Sequence, residues 1–95
     1  MNATSYEIRK ALVSLAVEEV LSDINDVVFE EVTRRLYKNY KCYIPDCFDN
    51  PGYLKQVLQE LYGQSHFTII ESITDRLNEF TGQKEISSFL KVICN

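Results

Sequence analysis

Both prolines and one of the three glycines fall between Lys41 and Gly52, and the other two glycines stand at positions 63 and 82. Proline and glycine are the residues a helix interior tolerates least, so they cut the chain into stretches that are free to be helical. Within each stretch apolar residues recur at three- and four-residue offsets, and strand-like alternation never persists. The pattern predicts an all-α fold, a compact bundle of about five helices in orthogonal or mixed packing, spanning residues 1–95 as a single helical domain. A chain this short leaves no room for two independent cores.

The first helix is expected from Tyr6 to Leu21, with Ile8, Ala11, Leu12, Leu15 and Ala16 on one side. Val13, Val17, Val20 and Leu21 make a second apolar stripe beside the first. The apolar arc is wider than one core-facing surface requires, which leaves two readings: a helix central to a monomeric bundle, or a helix shared between subunits. Ser22 and Asp23 are expected to stop this helix or cap the next, with Asp26 able to do the same.

From Ile24 onward, Val28, Val32, Leu36 and Tyr40 recur every four residues, predicting a second amphipathic helix that ends near Tyr40. Glu30 with Arg34 and Glu31 with Arg35 have the spacing of supporting ion pairs along it. The segment from Lys41 to Gly52 is read as an ordered connector, pinned by inward-turned Tyr43, Ile44 and Phe48. Asn50-Pro51 opens a third helix carrying Tyr53, Leu54, Val57, Leu58 and Leu61, which ends before Gly63. Ser65 is expected to cap a fourth, with Phe67, Ile69, Ile70, Ile73, Leu77 and Phe80 inward, and Lys84 to Cys94 forms a fifth around Ile86, Phe89, Leu90, Ile93 and Cys94.

The formal net charge of −4 disfavours nucleic acid as a partner, unless lysines and arginines gather on one face. Arg34, Arg35, Lys38 and Lys41 are the one basic cluster, read first as the solvated face of the second helix and alternatively as a recognition patch. No apolar run approaches the ~20 residues of a membrane span, and the stretch from Met1 to Glu7 lacks the pattern of a secretion signal. Three cysteines, Cys42, Cys47 and Cys94, are an odd number and read as reduced thiols. The expected location is the cytoplasm.

Cys42, Cys47, His66 and Cys94 are potential zinc ligands, but only the first two are neighbours in sequence, where structural sites present two close pairs. Cys42 and Cys47 could also bridge one another across the Ile44-Pro45 turn. A Cys47–His66 dyad would need the histidine to lower the thiol pKa, and a lone histidine at a helix start reads as a surface or boundary residue. There is no Gly-rich phosphate cradle, no His-Glu-x-x-His sequence and no calcium loop. No cofactor or metal is expected, and the chain is read as non-enzymatic.

The order of features from Val27 to Phe80 resembles the Nitrosopumilus output domain family of small archaeal domains. The matching features are Arg35-Leu36-Tyr37-Lys38-Asn39-Tyr40 at a helix end, Ile44-Pro45-Asp46, Asn50-Pro51 before Leu54-Lys55-Gln56-Val57-Leu58, and Leu61-Tyr62-Gly63 leading into the helix from Ile69 to Leu77. The resemblance implies a signalling output or interaction module. Together with the wide apolar arc, it points to a protein partner, possibly a second copy in a homodimer, met through Val13, Val17, Val20 and Leu21. The alternative is a nucleic-acid-associated regulator that uses Arg34, Arg35, Lys38 and Lys41.

Overall fold

The computed structural model describes residues 4–95; Met1, Asn2 and Ala3, part of the stretch read for a secretion signal, lie outside the described residues. Thr4 opens the first helix, its Oγ1 accepting a hydrogen bond from the Glu7 amide at 3.1 Å. That helix, α1 (Ser5–Ile24), runs through Ser22 and Asp23, where its end was expected. Asp23 stays helical and pairs with Arg76, and the backbone turns extended only at Asn25. The Asn25 amide donates to the Leu21 carbonyl, while its Oδ1 accepts from the Val28 amide at 2.9 Å. One residue therefore closes α1 and caps α2 (Asp26–Tyr40).

At the far end of α2 the Lys41 amide donates to the Tyr37 carbonyl at 2.9 Å, with Lys41 itself in the left-handed region at φ 54°. A 3-10 turn (Ile44–Phe48) leads to α3 (Pro51–Tyr62), a second (Gly63–Ser65) to α4 (His66–Leu77), and a third (Asn78–Phe80) precedes α5 (Lys84–Cys94). These short turns were not foreseen in the sequence. Within the first, Ile44 and Phe48 point inward as expected, but Tyr43 is exposed. Asn50 makes no side-chain cap to α3; its Nδ2 donates instead to the Asp46 carbonyl at 3.3 Å. Ser65 does not cap α4 either, because it belongs to the preceding turn.

α1 lies against α2, the Ile44–Phe48 turn, α4 and α5, while α3 packs on α2, α4 and α5. Val28, Val32 and Leu36 of α2, Leu54, Val57 and Leu58 of α3, Ile69, Ile70, Ile73 and Leu77 of α4, and Ile86, Phe89, Leu90 and Ile93 of α5 join α1 in one apolar cluster. The radius of gyration is 12.6 Å, against about 12 Å for a compact chain of this length. The described residues contain no strand, and no helix among them is long and apolar enough to cross a membrane.

α1 turns its second apolar stripe to the core, together with Ala16 and, in part, Leu12 of the first. Val13, Val17, Val20 and Leu21, read as a contact surface for a second subunit, are buried in the chain's own core with at most 4% of each exposed. Ile8 and Leu15, read as part of the first apolar side, are 51% and 54% exposed. Each inward valine or leucine contributes about 1.5–3 kcal/mol of burial, so the stripe that meets α4 and α2 decides the rotation of the helix. The four inward residues are thus occupied within the chain and offer nothing to a partner.

Candidate interaction surfaces

The outward side of α1 is an apolar ridge with a hollow on each flank. Leu15 forms one wall of both. One hollow, about 520 Å³, is lined by Ala11, Ser14 and Pro45 with Glu7, Lys10 and Glu18 around it; the other, about 420 Å³, by Leu12, Ala16, Leu77 and Phe80 with Glu19 and Arg76. Ser14 Oγ donates to the Lys10 carbonyl at 2.7 Å, which satisfies its hydroxyl inside the helix and leaves the neighbouring surface non-polar. Ion pairs border the ridge: Lys10 with Asp49 at 3.8 Å, and Arg76 with both Glu19 at 2.9 Å and Asp23. Tyr6, one turn from Lys10, donates its hydroxyl to Asp49, and this bond pushes the phenol pKa up.

The basic cluster divides. Arg35 turns toward α3 and pairs with Glu60 at 3.2 Å, where Asn39 Nδ2 also donates at 3.1 Å. The expected Glu31–Arg35 and Glu30–Arg34 pairs do not form within 4.0 Å among the described residues. Arg34, Lys38 and Lys41 remain exposed, with no carboxylate inside that distance. Between them stands Tyr37, 46% exposed, whose ring centre lies 5.5 Å from that of Tyr43, itself 55% exposed. The Lys41 Nζ sits 5.1 Å from the Tyr37 ring centre, a cation–π distance.

The four candidate metal ligands do not converge: among the described residues no group of three or more histidine, cysteine, aspartate or glutamate side chains is placed to hold a metal ion. Cys42 and Cys47 are buried neighbours, while Cys94 is exposed. Burial, then Cys42 and Asp46, push the Cys47 thiol up to about 12, the reverse of what a nucleophilic cysteine requires. His66 is not among the groups that perturb it.

His66 is buried at 3% exposure, where its position at a helix start was read as surface or boundary. The turn Gly63–Ser65 folds the Gly63 carbonyl back to 2.6 Å from its Nδ1. A carbonyl oxygen only accepts, so Nδ1 carries the proton. Nε2, like Thr33 Oγ1 and the Tyr62 hydroxyl, is buried without a partner among the described residues. The Phe67 ring lies 4.1 Å away, more than half exposed where the sequence placed it in the core.

No protein-family model, curated protein or solved structure matches the chain. The surfaces therefore speak through their own chemistry. Sequence reasoning missed Leu15 and the Tyr37–Tyr43 pair; the spacing of Tyr37 three residues after Arg34 and one before Lys38 was the available signal for the second.

Proposed function

We propose that the protein is a non-catalytic interaction module that pairs with a second copy of itself through the outward face of α1. The observation that carries this reading is Leu15, a large apolar side chain standing free between two shallow apolar hollows. A ridge beside a groove is self-complementary under a two-fold axis: Leu15 of each copy can enter a hollow of the other. Ile8 and Ala11, both exposed on the same helix, extend the apolar strip along the axis, and charged residues border it as a polar rim borders an interface core.

The order of features in residues 27–80, read in the sequence as resembling the Nitrosopumilus output domain family although no family model matches the chain, is the ground for proposing a place at the output end of a signalling chain. Three unpaired thiols suit a reducing compartment such as the cytoplasm.

The test is solution mass by light scattering under reducing conditions, over about a hundredfold range of concentration. A dimer that Leu15→Glu converts to monomer, with helicity and melting temperature of the monomer preserved, is the expected result. A wild-type protein that stays monomeric throughout overturns the reading.

A further inference from the structure

Arg34, Tyr37, Lys38 and Lys41 stand at i, i+3, i+4 and i+7, so they form one continuous stripe down α2. All four are exposed, and the three cations have no ion-pair partner within 4.0 Å among the described residues. Glu30 and Glu31, four and three residues before Arg34, are the nearest acids along the helix, and neither is paired with it. Beyond the helix end, Tyr43 is held in place by its own backbone: its amide donates to Asp46 Oδ2 at 2.8 Å, which fixes the start of the 3-10 turn and aims the ring back at Tyr37. Neither the Tyr37 nor the Tyr43 hydroxyl takes part in a hydrogen bond among the described residues.

The chain is acidic overall, yet three of its cations without an ion pair among the described residues, Arg34, Lys38 and Lys41, stand together where two exposed aromatic rings meet, while Lys55, Lys84 and Lys91 are apart from them. That meets the condition the net charge set for nucleic-acid binding, cations gathered on one face. We propose that this stripe binds single-stranded nucleic acid, with Arg34, Lys38 and Lys41 on backbone phosphates and the Tyr37–Tyr43 pair as a stacking platform for an unpaired base. An acidic peptide would satisfy the cations and leave both rings in water. A duplex would offer phosphates but keep its bases stacked inside. A single strand supplies regularly spaced negative charge and free π-faces together.

From Arg34 to the cap residue Lys41 the stripe runs about 10 Å at the helical rise of about 1.5 Å per residue, the length of about three stacked nucleotides at about 3.4 Å each. The site is therefore short, and binding is salt-sensitive. Three phosphate contacts on a single strand give a slope of about −2 for log K against log salt, so affinity falls about a hundredfold over a tenfold rise in salt. This surface is distinct from the α1 ridge, and the two readings fail separately.

The test is fluorescence anisotropy of the whole protein with a fluorescein-labelled oligothymidylate of about twelve nucleotides at low salt. Binding should carry the slope of about −2, and an abasic strand of equal length should bind about tenfold more weakly to the unaltered protein. Changing Arg34→Gln, Lys38→Gln and Lys41→Asn together should abolish binding, asparagine being chosen at 41 because it tolerates positive φ. Tyr37→Phe with Tyr43→Phe should leave it unchanged, since the rings remain. Leu15→Glu should also bind normally, which separates this site from self-association. Absence of any anisotropy change at low salt overturns the proposal. So does equal affinity for the abasic strand, for a duplex of the same length or for polyglutamate, the last of which would mark an acidic-protein site.

Discussion

The Nδ1 of His66 and the carbonyl of Gly63 lie 2.6 Å apart, joining the first residue of α4 to the turn that precedes it. Gly63 has φ 54°, and the 3-10 turn it opens brings its carbonyl within reach of the histidine. The bond is shielded, because His66 is almost fully buried.

His66→Ala removes both the bond and a buried ring, leaving the Gly63 carbonyl without its side-chain donor. A loss of about 2 kcal/mol is expected, read as a fall in melting temperature of roughly 8–16 °C for a domain of this size. A melting temperature within one or two degrees of the parent would show that the contact contributes nothing.

The two faces of α1 should separate cleanly under substitution. Leu21→Ala is expected to cost about 2–5 kcal/mol in urea unfolding, because Leu21 is fully buried and the site cannot collapse completely. Leu15→Ala should change monomer stability by no more than about 0.5 kcal/mol. Similar costs for both would mean that α1 is rotated from the orientation described.

Asn25 is the one-residue joint between α1 and α2, and its Oδ1 caps the second helix. Asn25→Ala should destabilise by about 1 kcal/mol, while Asn25→Asp, which retains the acceptor oxygen, should be close to neutral. Thermal melts of the pair decide it.

The buried thiols give a pH dependence with a definite sign. Cys47 holds its proton up to about 12 in the folded chain against an ordinary value of 9.0, with burial as the main cause. The folded state binds the proton more tightly, so this contribution is fully present below pH 9 and is lost as pH rises toward 12. Stability should fall in that window by about 1.4 kcal/mol per pH unit for this one group. Cys42 and Tyr62, both raised chiefly by burial, act in the same direction. Cys47→Ala should flatten the alkaline limb, and at pH 8 a thiol reagent should label exposed Cys94 well before either buried cysteine.

α2 and α5 were legible because one side dominates each: Val28, Val32 and Leu36 recur every four residues and are all buried, with Val27 of α2 and Val92 of α5 the exposed aliphatic exceptions. α1 was not, since Ile8, Ala11 and Leu15 are as apolar as Val13, Val17 and Val20. Periodicity then yields two rotations of equal merit, and packing against α2, α4 and α5 chooses between them. The same long-range choice sent Arg35 to Glu60 of α3 instead of to Glu31 one turn away. A local pair on a helix surface is worth only about 0.2–0.5 kcal/mol, too little to hold a side chain against a better-placed partner. Of the two interaction surfaces, the cations of α2 were readable from their spacing. Tyr43 was not, because its exposure depends on a 3-10 turn that no glycine announces.

Lys41 occupies a backbone conformation that glycine adopts freely and a lysine resists. Lys41→Gly should therefore stabilise the chain, by up to about 1 kcal/mol in urea unfolding, while weakening the binding proposed for α2.

The single residue between α1 and α2 also sets how the two surfaces relate. A longer linker would let each helix settle independently, whereas the single extended residue here leaves α2 little freedom to reorient against α1. The ridge around Leu15 and the stripe through Tyr37 are therefore held in a fixed relation by one residue, so a change in the length of this joint would disturb both proposed surfaces at once.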